Sequence, residues 1–257
     1  MPAYLQLATD GPVSRLILSR PPLNIIDVPM AREILAALEA LPAATRIVQF
    51  ESAPECRCFS AGVAVDEHLP ERAEAMLRNF HAIFRRLAVS DFLTLAVVRD
   101  LALGGGAELA CFCDAVLAAD HADFGFPEIR VGSFPPVASV LLPAMVGLRR
   151  AQDWILSGRR ISAAEALASG LIDRAVPSGQ LDTAAAAHRA QWLALSPQIL
   201  PVARRAVRGD GFLQALADIE DRYRRELPKL EDAREGVRAF LEKRPPVWAP
   251  PATGRPA

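Results

Sequence analysis

The chain has 257 residues, enough to bury a full core as one domain with an appendage. Its 51% hydrophobic and 23% charged residues are those of a globular protein, and a net charge of -1 gives no electrostatic footprint for nucleic acid. No apolar run reaches the roughly 18 residues needed to span a bilayer, and the N-terminus has the pattern of neither a secretory signal nor a transit peptide, so a cytoplasmic protein without membrane contact is expected.

Taken in chain order, residues 4–7 and 14–18 read as strands split by an Asp10-Gly11 turn, and Pro21-Pro22 ends the second. Residues 30–41 carry Ile34, Leu35, Leu38 and Leu41 at helical spacing. Residues 47–51 form a short β-rich run. Residues 71–88 predict a long amphipathic helix with Met76, Leu77, Phe80, Ile83, Phe84 and Leu87 on one side. Residues 93–98 are almost continuously apolar, which suits a strand buried on both faces. A helix is expected after Gly104-Gly105-Gly106, running to about Cys113, then a strand over residues 115–118. This alternation predicts an α/β core. From about Ser139 the pattern is nearly all helical. Ser162-Ala163-Ala164-Glu165 reads as a capping box and Gly170 as a helix stop. Ser196-Pro197 marks another helix start, and residues 211–227 and 232–243 predict two more helices. The tail, residues 245–257, is proline-rich and reads as extended or disordered.

The four cysteines form two C-x-C pairs, Cys56/Cys58 and Cys111/Cys113. Structural zinc sites usually space their cysteines by about two to four residues, so no metal is expected. The second pair, in the apolar run ELACFCD, reads as small buried hydrophobes.

Three segments can carry chemistry. In Cys58-Phe59-Ser60-Ala61-Gly62-Val63, small residues let a ligand approach the backbone and leave an N–H free to meet it. The alternative is a plain strand-to-helix turn. Leu103-Gly104-Gly105-Gly106-Ala107-Glu108 places glycines where a helix begins, and amides there carry partial positive charge. It lacks the Gly-Lys-Ser/Thr ending of a phosphate-binding loop, which leaves an oxyanion hole or a tight-packing turn. Glu108 in its first turn is an acid or base, or a partner of the helix dipole. In Phe124-Gly125-Phe126-Pro127-Glu128-Ile129, burying a lone carboxylate among apolar residues would raise its pKa, as a general acid requires. The alternative is a solvent-facing loop glutamate.

In their order and spacing, FSAG, ALGGGAELA and FGFPEI resemble the crotonase (enoyl-CoA hydratase/isomerase) superfamily. Arg20-Pro21-Pro22-Leu23-Asn24, Leu156-Ser157-Gly158, Ile161 through Ala166, Gly170-Leu171-Ile172 and Glu235 through Arg244 extend the similarity over residues 3–248. The resemblance implies a ββα spiral core over residues 1–195. A C-terminal helical oligomerisation region with the proline-rich tail follows over residues 196–257. The implied substrate is an acyl-CoA, with no separate cofactor. Its thioester carbonyl lies between two backbone amides, at Ala61 and Gly105 by motif position. Reactions of this family build negative charge on that oxygen, and losing one such donor typically costs about 3–4 kcal/mol in the barrier. The resemblance places the catalytic pair of a hydratase at Glu108 and Glu128. Two close carboxyls cannot both ionise easily, which splits the acid and base roles. Glu128 is taken as the proton donor to Cα and Glu108 as the base toward water, an order the sequence leaves open. Ser60, Phe240 and Lys243 match positions that contact CoA, the last two often from a neighbouring subunit of a trimer. A homotrimer or a dimer of trimers is therefore implied.

The chain departs from the common pattern at Ala64, where many members have aspartate, and at Asp100, where a glycine usually stands. The loop over residues 20–24 is one residue short. PPLNIID, FSAGVAVDEHLP and VGSFPP are similar to cyclohexa-1,5-diene-1-carbonyl-CoA hydratases. There Pro135-Pro136 would stiffen the loop after Glu128 and remove N–H donors. The expected activity is hydration of a 2-enoyl-CoA. The runner-up is a Δ3,Δ2-enoyl-CoA isomerase, which needs one carboxylate to shuttle a proton. A non-catalytic scaffold would predict lost glutamates or a basic stripe.

Overall fold

The structure is a computed structural model, and it describes residues 4–250. Strands β1 (Leu5–Asp10) and β2 (Val13–Leu18) form a hairpin with Leu5 opposite Leu18. Helix α1 (Val28–Glu39) follows, and Asp27 caps it by accepting from the Met30 amide at 3.0 Å. Strand β3 (Ile47–Ser52) returns parallel to β2. Helix α2 (Pro70–Ala88) buries the side read from its periodicity, from Met76 to Leu87, against the core. Strand β4 (Leu93–Val98) is buried at every position, because it has a neighbour on each edge and helices on its faces.

From here β4 and β6 of the main sheet are each followed by a short strand of a second sheet. β4 leads to β5 (Leu101–Leu103) and helix α3 (Gly105–Phe112). β6 (Ala115–Ala119) leads to β7 (Asp123–Gly125), a 3-10 turn at Pro127–Val131, and helices α4 (Pro136–Val146) and α5 (Leu148–Ser157). β8 (Arg160–Ser162), helix α6 (Ala163–Ser169), β9 (Arg174–Val176) and helix α7 (Leu181–Leu193) complete the core. The main sheet runs β1-β2-β3-β4-β6-β9, parallel except for the first pair, and the second runs β5-β7-β8. This strand–strand–helix repetition is the expected spiral.

The second half is not nearly all helical: β8 and β9 interrupt it. Three-residue strands are too short to display a period of two. The capping box forms by half. The Ser162 hydroxyl accepts from the Glu165 amide at 3.2 Å, but the Glu165 carboxylate accepts from Arg159 instead of returning to the cap. Gly170 ends α6 in the left-handed conformation as expected.

Helices α8 (Ile199–Arg208), α9 (Gly211–Glu226) and α10 (Glu231–Leu241) pack back on the spiral. Buried Arg204 of α8 donates to Asp114 and to the Leu87 and Ser90 carbonyls, while Phe212 and Leu216 of α9 join the main core. Residues 245–250 form neither helix nor strand and lie along α10, where the Val247 and Ala249 amides donate to Glu235 and Asp232. The rest of the expected tail lies outside the described residues.

Candidate active site

The site is built where α3 begins. Strand β5 ends at Leu103, and the Gly104 amide donates to the Gly125 carbonyl at 2.8 Å. Gly104 has φ +50°, the left-handed region that favours glycine, and a Cβ there would lie 2.7 Å from Glu128 Oε1. A Cβ on Gly105 would meet the Phe80 ring and Val63 Cγ2, each at 2.7 Å. Glycine is therefore required at both positions by what surrounds them. The Gly105 N–H, in the first turn of α3, has no hydrogen-bond acceptor among the described residues.

The second amide is not the one expected. The Ala61 N–H donates to the Leu23 carbonyl at 2.9 Å and is not free. Two residues on, Val63 stands in a parallel bridge with Ile26. Ile26 donates to the Gly62 carbonyl at 2.9 Å and accepts from the Ala64 amide at 3.1 Å. The amide of Val63 therefore points the other way, and it has no acceptor among the described residues. Val63 packs on Gly105, and a Cβ on Gly62 would lie 3.6 Å from the Gly105 nitrogen. The free amides brought together are Val63 and Gly105.

Ser60, expected to contact CoA, is wholly buried. Its hydroxyl donates to the Asn24 carbonyl at 2.7 Å and accepts from the Gly62 amide at 3.1 Å, and its Cβ sits where a side chain on Gly106 would go. It is a clasp between the loop and α3, with its one hydroxyl hydrogen already given to Asn24 and no exposed surface to meet a ligand. Buried Asn24 does similar work: its amide donates to the Phe59 carbonyl at 3.0 Å and its oxygen accepts from the Arg20 amide at 2.7 Å.

Glu108 and Glu128 are both buried. Glu108 leaves the wholly buried α3 and reaches the N-terminus of α4, where its Oε1 accepts from the Ala138 amide at 2.9 Å. It therefore partners a helix dipole, but that of α4 and not its own. Pro135 and Pro136 supply no N–H, so the first donors of α4 are Val137 and Ala138. Burial pushes the Glu108 carboxyl up to about 7, against the lowering effect of the Ala138 and Val137 amides. Glu128 follows Pro127 in the 3-10 turn; its Oε2 is buried without a hydrogen-bond partner among the described residues. Burial, reinforced by the charge of Glu108, raises it well above the ordinary carboxylate range. The pair thus favours one charge over two, and one Glu128 oxygen is left without a partner among the described residues while the other lies against Gly104 at the start of α3.

Two further residues border this space without having been singled out beforehand. The Ser133 amide donates to the Glu128 carbonyl at 3.0 Å, and its hydroxyl lies 2.9 Å from that of Tyr223 on α9. Ser133 follows Glu128 closely, but Tyr223 is remote in sequence and carries no local signal.

A cavity of about 600 Å³ opens beside Ala64, lined also by Arg20, Leu23, Asp27, Glu67 and Arg72. Phe240 and Lys243 do not line it. They lie exposed at the end of α10, where Lys243 takes φ +54°. Asp100 faces away from the carboxyls and pairs with exposed His121 at 3.2 Å. All four cysteines are buried free thiols; burial raises Cys58 to about 11 and Cys111 to about 12, so both stay protonated. Among the described residues, no group of three or more His, Cys, Asp or Glu side chains is placed to hold a metal, and no helix is long and apolar enough to cross a membrane.

The enoyl-CoA hydratase/isomerase family profile matches residues 9–251. A cyclohexa-1,5-dienecarbonyl-CoA hydratase of Thauera aromatica is 41% identical, over 96% of both chains. A Mycobacterium bovis protein named as a probable enoyl-CoA hydratase is 35% identical over 93% of this chain and 95% of its own. The crystal structure of an enoyl-CoA hydratase from Mycobacterium avium subsp. paratuberculosis superposes with a TM-score of 0.84 at 29% identity, covering 96% of this chain and 99% of that one.

Proposed function

The chain belongs to the enoyl-CoA hydratase/isomerase family, and from that premise we propose that it adds water across the 2,3 double bond of an acyl-CoA through an enolate held by the Val63 and Gly105 amides. The observation that carries this reading is the pair of buried carboxyls, Glu108 in the first turn of α3 and Glu128 against Gly104 at its start.

The thioester oxygen accepts from the two amides, which are preorganised and cost nothing to orient as charge develops. Water sits between the carboxyls. Glu108, whose pKa lies near 7, takes its proton as the oxygen attacks Cβ. Glu128, held protonated by burial and by its neighbour, delivers a proton to Cα from above Gly104. The CoA nucleotide occupies the cavity beside Ala64, where Arg20 and Arg72 offer cations, though Asp27 and Asp66 already pair with them. Phe240 and Lys243 reach CoA only from a neighbouring copy, in a homotrimer or dimer of trimers; their exposure supports this. A cytoplasmic enzyme without a separate cofactor or nucleic-acid partner completes the reading. The Thauera relative and the Pro135-Pro136 turn that brings the Ala138 amide to Glu108 favour a cyclic dienoyl-CoA as the substrate.

The test is loss of the conjugated thioester absorbance with crotonyl-CoA and with cyclohexa-1,5-diene-1-carbonyl-CoA. Glu108→Gln and Glu128→Gln should each slow it by about 10²–10⁴-fold. If neither substrate is hydrated while a 3-enoyl-CoA is converted to its 2-enoyl isomer, the isomerase reading replaces this one.

A further inference from the structure

With the thioester between Val63 and Gly105, the acyl group is bounded by the side chains that pack on Val63. Val63 packs against a small cluster formed by Ala73, Met76 and Leu77 of α2, Tyr223 of α9 and Phe134. The Tyr223 and Phe134 rings lie 5.2 Å apart at 56°. The Tyr223 hydroxyl is tied to Ser133 at 2.9 Å, and both residues are buried. A cavity that touches Ser133 and Tyr223, lined otherwise by residues such as His68, Pro70, Leu227 and Ala233, holds about 10 Å³, enough for about one water. The Ser133 amide in turn donates to the Glu128 carbonyl at 3.0 Å, which joins the Tyr223–Ser133 pair to the segment carrying that carboxyl.

The wall cannot part easily. One turn before Tyr223, buried Glu220 accepts from His81 at 2.7 Å and from Arg85 at 2.6 Å, both on α2. A chain threading between α2 and α9 would have to break that cluster.

We propose that Tyr223 and Ser133, backed by Phe134, form the closed far wall of the acyl compartment and restrict the site to compact, flat acyl groups, excluding long straight chains. The proposal rests on the reading that the thioester lies between Val63 and Gly105, and it names the residues that set the substrate class.

Calorimetry of the full chain with saturated butanoyl-, cyclohexanecarbonyl- and decanoyl-CoA tests it without turnover, so a failure of hydration and a failure of this proposal are separate results. If the chain were buried, the six additional methylenes of decanoyl-CoA would tighten binding by roughly four thousandfold, at about fourfold each. The wild type should instead bind decanoyl-CoA within about threefold of butanoyl-CoA, and cyclohexanecarbonyl-CoA more tightly than either. Tyr223→Ala should bind decanoyl-CoA at least about tenfold more tightly than the wild type does, with butanoyl-CoA little changed. Tyr223→Phe keeps the ring and should still exclude the long chain. Decanoyl-CoA binding tenfold or more tightly than butanoyl-CoA to the wild type would overturn the proposal. So would a folded Tyr223→Ala protein with an unchanged ratio; if that variant does not fold, the wild-type and Tyr223→Phe ratios decide.

Discussion

At the scale of single residues, burial makes charge on either glutamate costly, and the fold carries that cost. Glu108 has a folded pKa near 7, above its ordinary value, because burial disfavours its charge. Between those two values the folded chain binds more protons than the unfolded one, so stability falls as pH rises toward 7 and then levels. Glu108→Gln, which cannot ionise, should therefore melt a few degrees above the wild type at pH 8 and show a smaller difference at pH 5, by differential scanning calorimetry. The same titration should appear in activity. kcat/KM should rise toward pH 7 as Glu108 ionises and fall at higher pH as Glu128 loses its proton, giving a bell. A profile flat from pH 5 to 9 would remove Glu108 from the role of base. Asn24 acts at the same scale without touching the chemistry. Its side chain joins Arg20 to Phe59 while its backbone takes φ +47°. Asn24→Ala should loosen the segment that carries Val63 and raise KM more than it lowers kcat.

At the scale of elements, α3 shows what was legible in the sequence and what was not. The three glycines marked a helix start, which forms at Gly105, and the amide of Gly105 has no acceptor among the described residues. The second donor was misplaced by two residues, from Val63 to Ala61. Both belong to one extended segment, and which amides point inward depends on pairing with Ile26 and Leu23, partners far away in the chain. Motif order found the segment, and only the ladder fixes its register. The same reason hid β8 and β9, whose three residues each are strands because β7 and β6 lie beside them. Long elements with a strong period, such as α2 and β4, needed no such context. The element also makes a prediction. Gly104→Ala forces a side chain into a left-handed backbone and against Glu128 Oε1 at 2.7 Å. It should displace that carboxyl and lower kcat by at least about tenfold, with a cost to stability of about 1–3 kcal/mol from backbone strain. Gly11→Ala, equally left-handed at φ +52° but facing open space, should reproduce the strain without the loss of kcat, in parallel melts and assays.

At the scale of the whole molecule, the C-terminal helices complete a site whose chemistry lies in the spiral. α9 supplies Tyr223, and it is fixed to α2 by one buried carboxylate. Burial alone would raise the Glu220 pKa, but hydrogen bonds from His81 and Arg85 more than offset it and leave it lowered. Burial keeps His81 neutral, so it donates its Nδ1 hydrogen and Arg85 supplies the charge. Arg85 is 40% exposed, so solvent screens its side of the pair, and the penalty for removing it falls on the Glu220 charge left inside. Arg85→Ala should cost about 1–3 kcal/mol in urea denaturation at pH 7, and much less in a Glu220→Gln background, where no charge is stranded. A depressed carboxylate contributes stability above its unfolded pKa and loses it as pH falls through the folded one. The cost of Arg85→Ala should therefore shrink as the buffer is taken from pH 5 toward pH 3. An Arg85→Ala penalty that is the same with and without the Glu220 charge, at both ends of that range, would mean the two helices are held by apolar packing alone. The wall behind the acyl group would then be free to open.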